Sequence, residues 1–208
     1  ASNASGAAAT MQDASRRVDE VRLATEDLQG VLAGFRTGGT PFDALVDATT
    51  VLREQVLACL KRHADGGANV FDQRYQPIAQ SDPPRFTTSY DRIVERDLQV
   101  LFDRVLTDLP GAAYALAVDN RGFAPTHNTK FSRPPNGQRA HDLVYCRNKR
   151  IFDDPVGIRL AKNREPFLLQ TYLRDTGEVI NDLSMPVVLD GKHWGAVRIG
   201  YDSARMMG

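Results

Sequence analysis

Aromatic, amide and cationic side chains alternate with other residues in two segments near the end of the chain, 166–174 and 193–202. Successive side chains of a β-strand point to opposite faces, so alternate positions share one face. One face carries Gln170, Tyr172 and Arg174 in the first segment, and Trp194 and Arg198 in the second. If the two faces meet on the concave side of one sheet, they form an aromatic wall with guanidinium groups, which suits a carboxylate or a zwitterion.

The two arginines have a second interpretation. Arg174 and Arg198 either project into such a pocket or lie on a solvated face, paired with acids such as Asp175 and Asp182. A period of two shows which side chains share a face, but it does not show which face looks inward. Both interpretations therefore stay open at the level of the sequence. Tyr114, on an earlier predicted strand, also belongs to the candidate ligand-binding set.

His127 follows a predicted strand and precedes a loop, which places it at the rim of the candidate pocket. A histidine there caps the sheet, contacts a ligand or binds a haem as its single axial ligand. Capping is the default interpretation. The other histidines are His63, His141 and His193, and we identify no histidine that pairs with another His or a Cys at short ligand spacing. The sequence interpretation therefore includes no metal site.

The charged run 148–154 ends in Asp153 and Asp154, directly before Pro155. Acids at this position favour the start of a helix at the proline, and we prefer this interpretation to a metal site. The sequence contains no nucleophile elbow, no phosphate-cradling loop and no zinc-protease motif. We therefore expect a protein that is not an enzyme and that needs no cofactor.

Composition excludes some classes of partner. Lysine and arginine total 26, as do aspartate and glutamate, so there is no electrostatic footprint for nucleic acid. The two cysteines, Cys59 and Cys146, are far apart, and free thiols fit a reducing compartment. No apolar run approaches the length of a membrane-spanning helix. Residues 1–10 look like a purification scar and a flexible tail.

The candidate residues are carried mainly by predicted β-strands. An Asp-Gly-Lys turn at 190–192 between two apolar runs indicates a hairpin. The predicted strands are Tyr114–Val118, Phe123–Pro125, Pro166–Arg174, Met185–Leu189 and His193–Asp202. Short helices near 140–146 and 155–162 separate the second strand from the third. This order is typical of an α+β fold with a five-stranded antiparallel sheet and short flanking helices.

Long helices are predicted before the sheet. Apolar positions from Val18 to Phe35 form a heptad seam, which indicates either the end of a dimeric coiled coil or an amphipathic helix packed on its own domain. Thr40 and Pro41 begin a second helix that runs to about His63. A third helix spans about 90–109. We divide the chain into an N-terminal helical segment, 11–64, and a sensor domain, 65–204.

Three stretches are more specific than this general order of elements. They read AVDNRGFAPTHN (117–128), NKRIFDDPVGIRLAKNREPFLLQTYLRDTGEV (148–179) and DLSMPVVLDGKHWGAVRIGYD (182–202). From about residue 15 to 203 the chain resembles a PAS-like sensor module of the Cache (PDC) type, found in a group of bacterial methyl-accepting chemotaxis proteins. In that group the module follows the cytoplasmic signalling hairpin, at the C-terminal end of the receptor. The helix ending in LQGVLAGFRTG (28–38) resembles the exit of that coiled coil.

The resemblance implies a homodimer, a small-molecule input and a cytoplasmic location. It also implies coupling to the chemotaxis histidine kinase and its coupling protein through the rest of the receptor. In the expected mechanism, ligand stabilises one arrangement of the sheet, and the change passes into the signalling coiled coil. Two alternatives stay open. One is a dimerisation or protein-docking module without a ligand, and the other is a redox sensor that contains haem or flavin.

Overall fold

Two long amphipathic helices cover one face of an antiparallel sheet in the computed structural model, which describes residues 39–173, 178–202 and 205. The α-helices are α1 (Pro41–Asp65), α2 (Asp91–Asp108), α3 (Arg139–Tyr145) and α4 (Pro155–Ala161). The strands are β1 (Gln76–Pro77), β2 (Phe86–Thr87), β3 (Ala112–Asp119), β4 (Leu168–Leu173), β5 (Val179–Leu189) and β6 (Lys192–Tyr201). These residues belong to one compact unit, Gly39–Gly208, and have the predicted α+β class.

Helix α1 begins at the capping signal that its sequence contains. The Thr40 hydroxyl accepts a hydrogen bond from the Asp43 backbone N–H at 3.1 Å, and the Asp43 carboxylate accepts one from the Thr40 N–H at 3.1 Å. This reciprocal pair satisfies two backbone donors that the first helical turn leaves free. Pro41 occupies the first turn, where a missing N–H costs nothing. The helix predicted from Thr40 to about His63 is confirmed, and it extends two residues further.

The main sheet has the strand order β3-β6-β5-β4, with every neighbouring pair antiparallel. Strands β5 and β6 form the predicted hairpin. Its two-residue turn, Asp190-Gly191, has positive φ at both positions, 48° and 75°. This conformation matches the twist of the two strands, and an Asp-Gly pair adopts it readily. The centre of the sheet is therefore specified by the local sequence.

The expectation of a five-stranded sheet is wrong for the described residues. The predicted strand Phe123–Pro125 does not join the sheet. Instead Phe123 forms an isolated bridge with Ile151, and the Ala124 N–H donates to the Arg150 carbonyl at 2.9 Å. Gly122, at φ 85°, turns the chain tightly beside Phe152, whose carbonyl would lie 2.4 Å from an added Cβ. The turn therefore brings the segment against residues 149–152, with which it pairs instead of forming a fifth strand.

Two sequence predictions lie outside the described residues. The heptad helix at 18–35 falls in residues 1–38, together with much of the proposed segment 11–64. Arg174 falls in the short gap at 174–177. The coiled coil and the homodimer therefore stay predictions.

The two faces of the main sheet differ in chemistry because side chains alternate along each strand. Along β5, Leu183 and Met185 face the long helices, and the Thr50 hydroxyl of α1 contacts the Met185 sulfur at 3.6 Å. Asp182 and Ser184, which alternate with them along the strand, point to the opposite face and are fully buried. One face therefore forms an apolar core with α1 and α2, and the other carries buried polar groups. No described helix combines the length and apolarity that a membrane span needs.

Close backbone packing between β3 and β6 gives the first testable prediction. A Cβ added at Gly195 would lie 2.0 Å from the Val118 carbonyl oxygen and 2.6 Å from the Asp119 Cα. We expect Gly195→Ala to lower the free energy of unfolding by about 3 kcal/mol, because two paired strands must separate to admit the methyl group. Urea unfolding followed by circular dichroism measures the loss.

Gly66→Ala provides the matched control. Gly66 has a negative φ of −79°, and an added Cβ would lie 3.4 Å or more from its neighbours. The free energy of unfolding of this variant should differ from that of the unmodified chain by no more than about 0.5 kcal/mol. Equal stability of the two variants would contradict the described packing of β6 on β3.

Candidate functional site

A cavity of about 370 Å³ lies on the polar face of the sheet. Its sheet side is lined by Tyr114 and Leu116 of β3, Tyr172 and Leu173 of β4, and Arg198 of β6. The opposite wall comes from His127, Arg147, residues 150–154 and Gly157 of α4. A concave site with apolar walls and a few convergent polar groups is the usual form of a small-molecule pocket.

A buried ion pair occupies the sheet side of this cavity. Arg198 donates to Asp182 Oδ2 from Nε at 3.0 Å and from a terminal nitrogen at 2.5 Å. The Tyr114 hydroxyl donates to the same oxygen at 2.5 Å, and the Tyr172 hydroxyl lies 3.2 Å from it. The two tyrosine hydroxyls are also 2.7 Å apart. The sequence left open whether Arg198 projects into a pocket or pairs with an acid such as Asp182. The structure shows that Arg198 pairs with Asp182 and that it also lines the cavity.

Burial and the ion pair fix the ionisation of this cluster. Burial alone would lower the pKa of Arg198, but the combined effects of Asp182, Tyr172 and Tyr114 outweigh it and raise that pKa well above the usual range. Burial, reinforced by Asp182 and Tyr172, raises the pKa of Tyr114 well above 10. Tyr114 is therefore a neutral hydrogen-bond donor at physiological pH. The Arg198 charge is already compensated, so it contributes little net attraction for an anion.

One oxygen of this cluster is not used by the described part of the chain. Asp182 Oδ1 is buried and has no hydrogen-bond partner there, and the same holds for the Ser184 hydroxyl. Asp182 and Ser184 are alternate residues of β5 and point to the polar face. Buried polar atoms without a partner are rare because each costs desolvation energy. A bound water fits such a position.

The wall facing the sheet carries two further cations. The guanidinium carbons of Arg147 and Arg150 lie 5.5 and 5.4 Å from the ring centre of Phe152, within the range of cation–π contact. Arg147 also donates to the Leu143 carbonyl at 3.0 Å. Each guanidinium has five N–H donors, so it can hold a ligand oxygen in addition to its protein partners. Neither residue belongs to the predicted site, although the run CRNKR at 146–150 is a visible basic cluster.

Buried polar contacts hold this wall in place. Lys149, at φ 60°, points its ammonium away from the cavity to Asp91 of α2 at 2.5 Å and to Glu95 at 3.2 Å. Arg85 donates to the Asn148 side chain at 2.7 Å and to its backbone carbonyl at 3.1 Å. The segment that presents Arg147 and Arg150 is therefore tied to α2 and to the residues before β2.

The structure brings four of the seven predicted site residues to the cavity: Tyr114, His127, Tyr172 and Arg198. His127 is only 2% exposed, so it is a buried wall residue rather than an exposed rim residue. Its Nδ1 accepts the Asn128 N–H at 2.8 Å, and its ring packs edge-on against Tyr114 and Phe131. These contacts fit the structural role that the sequence gave as the default, and they leave the histidine beside the cavity.

The other three predicted residues are placed differently. Trp194 does not line the cavity, because its indole N–H donates to the Val70 carbonyl at 2.8 Å and its side chain is 1% exposed. Gln170 is fully buried opposite Asp182 in the β4–β5 register, outside the cavity lining. Arg174 lies outside the described residues. The predicted capping by Asp154 is confirmed, since its carboxylate accepts the Val156 and Gly157 N–H groups.

A second group of polar side chains corrects the sequence analysis. Cys59 and His63 lie four residues apart on α1, a short ligand spacing that the sequence interpretation overlooked. Asp97 of α2 joins them, with its Oδ2 2.8 Å from His63 Nε2. Burial and then the Asp97 charge raise the pKa of the Cys59 thiol to about 11. The contact with His63 keeps the pKa of Asp97 below its usual range, against the effect of burial.

No protein-family model and no curated protein sequence matches the chain. Among solved structures, the chain is similar to an extracellular ligand binding receptor from Desulfohalobium retbaense DSM5692, with 14% sequence identity and a TM-score of 0.39. The match covers 76% of this chain and 25% of that one, so the chain spans about a quarter of the structure it matches.

The buried ion pair gives the second testable prediction. Arg198→Met leaves Asp182 as an uncompensated buried charge, and we expect a loss of about 3–5 kcal/mol in the free energy of unfolding. The double variant, with Asp182→Leu added, should recover much of that loss because it removes both charges. Urea unfolding of the two single variants and the double variant measures the coupling.

Lys61→Met is the control for this cycle. Lys61 pairs with Asp65 at 3.2 Å, but both side chains are at least half exposed. Solvent screens such a pair, so its loss should change stability little. Additive effects of the Arg198 and Asp182 substitutions would show that the two side chains do not interact as described.

Proposed function

We propose that residues 39–202 form the sensory domain of a bacterial chemotaxis receptor, with a small organic anion or zwitterion as its ligand. The observation that carries this proposal is the cavity between the polar face of the sheet and the wall that contains Arg147 and Arg150. The concave shape of this cavity and the polar groups in its lining favour ligand binding over the alternative of a flat docking platform.

The charge of the cavity supports an anionic group on the ligand. Asp182 compensates the charge of Arg198. Arg147 and Arg150, which contact the ring of Phe152, bring two further guanidinium groups to the lining. Guanidinium groups bind carboxylates through paired, charge-assisted hydrogen bonds. Asp153 also lines the cavity and is exposed, so it can accept the ammonium group of a zwitterion.

The location of the cavity supports a route for the signal. A ligand held between Arg150 and Tyr172 would bridge the wall and the sheet. The wall is joined to α2 through Lys149 and Asp91. A ligand that binds one position of the wall more tightly than another shifts the population toward the tighter-binding position. In this proposal α2 moves together with the wall.

The receptor context rests on the family resemblance of the sequence. This resemblance supports a homodimer whose N-terminal helices continue into the signalling coiled coil. It also supports a cytoplasmic location and regulation of the chemotaxis histidine kinase through its coupling protein. In this proposal the domain binds its ligand without transforming it, and it carries no haem or flavin.

Ligand binding gives the third testable prediction. A thermal-shift screen against amino acids, organic acids and neutral sugars should give dose-dependent hits among the first two groups only. For a hit, Arg150→Gln should raise the dissociation constant measured by calorimetry about 10- to 100-fold, because a charge-assisted hydrogen bond contributes about 1.5–3 kcal/mol.

Arg96→Gln is the matched control, since Arg96 is an exposed residue of α2 that does not line the cavity. The dissociation constant of the Arg96→Gln variant for the same ligand should equal that of the unmodified chain. Hits confined to neutral compounds would contradict the anionic ligand class. Tight binding that both arginine variants retain equally would place the ligand outside this cavity.

A further inference from the structure

Three potential metal-binding atoms of different chemistry meet between the two long helices. They are the Cys59 sulfur and a His63 ring nitrogen of α1, and a carboxylate oxygen of Asp97 of α2. All three atoms lie within 4.8 Å of one another. The group lies on the helices, and none of its members lines the ligand cavity.

Helix geometry explains why these side chains converge. Residues i and i+4 lie one turn apart on the same helix face, so Cys59 and His63 project together. That face packs against α2, which presents Asp97 to both. The Cys59 side chain is 4% exposed, and His63 and Asp97 are progressively more exposed. A groove lined by Cys59 and Asp97 reaches the group from solvent.

The donor set matches the preferences of zinc. Zn²⁺ binds thiolate, imidazole and carboxylate at about 2.0–2.3 Å, so its ligand atoms lie roughly 3.3–3.8 Å apart in tetrahedral geometry. The present spacing requires only small side-chain movements to reach that range. Three protein ligands leave a fourth position that a water fills from the groove.

Arg62 lies beside two of the three atoms that a metal ion would bind. Its guanidinium donates to Asp97 Oδ2 at 2.6 Å and lies 4.0 Å from the Cys59 sulfur. The Arg62 side chain is 64% exposed, so it can turn into solvent at low cost. In the metal-free protein this cation therefore neutralises Asp97 and competes with a metal ion for it.

We propose that Cys59, His63 and Asp97 form a zinc site that joins α1 to α2. On binding, the Cys59 S–H proton passes to the buffer and a sulfur–zinc bond replaces it. His63 binds through Nε2, and Asp97 exchanges the Arg62 guanidinium for the metal. The site is separate from the ligand cavity, because the two share no residue.

Cobalt substitution tests the site directly. We expect the purified, chelator-treated chain to bind one equivalent of Co²⁺, with a thiolate-to-cobalt charge-transfer band that excess Zn²⁺ removes. His63→Gln should weaken zinc binding by at least tenfold in calorimetry, and so should Asp97→Asn, because each removes one of three protein ligands. Cys59→Ser should abolish the charge-transfer band.

Two further variants separate this site from its alternatives. Arg62→Gln removes the competing cation, so zinc should bind more tightly than to the unmodified chain. His141→Gln is the control, because His141 belongs to a different Cys, His and Asp group on α3 and should leave the affinity unchanged. If Cys59→Ser does not fold, the partly exposed His63 and Asp97 variants still decide the question.

Two results would overturn the proposed zinc site, and a third would assign the metal to other residues. The absence of a charge-transfer band at saturating cobalt would overturn the proposal. So would zinc binding that His63→Gln leaves unchanged. A loss of binding in His141→Gln alone would assign the metal to the α3 group instead.

Discussion

The ion pair between Asp182 and Arg198 constrains the whole sheet. Two charges that are almost completely buried are tolerated only when each compensates the other with good geometry. The acid lies on β5 and the base on β6, while Tyr114 of β3 and Tyr172 of β4 contact the same oxygen or one another. All four strands therefore meet in one polar cluster. A one-residue slip of either central strand would send its charged residue to the apolar helix face, so the cluster also fixes the strand register.

This cluster explains why the two sides of the sheet are covered differently. Apolar helices pack closely against Leu183 and Met185, but they would leave the opposite, polar face without hydrogen-bond partners. That face is covered instead by the long segment between β3 and β4, which brings its own guanidinium groups, backbone bridges and the short helix α4. Irregular chain over a polar face does not fill space as helices do. The cavity follows from this difference in packing.

Local patterns in the sequence were sufficient to predict the helices after residue 40, the hairpin, and the shared face of Tyr172 and Arg198. Features that depend on distant partners were not predictable in this way. Trp194 looked like a pocket residue because its partner, the Val70 carbonyl, is 124 positions away. The segment at 123–125 looked like a strand because nothing local shows its pairing with Ile151. The spacing of Cys59 and His63 was visible in the sequence, but their convergence with Asp97 required the helix pairing.

Helix α2 links the two proposed sites physically. Asp91 and Glu95, one turn apart, hold Lys149 and with it the cavity wall, while Asp97 faces α1. A metal ion on Asp97 would fix α2 against α1, and a ligand on Arg150 would bias the wall that α2 supports. Both events therefore act on the position of one helix. If each favours the same position, zinc must strengthen ligand binding by the factor by which ligand strengthens zinc binding, because such coupling is reciprocal.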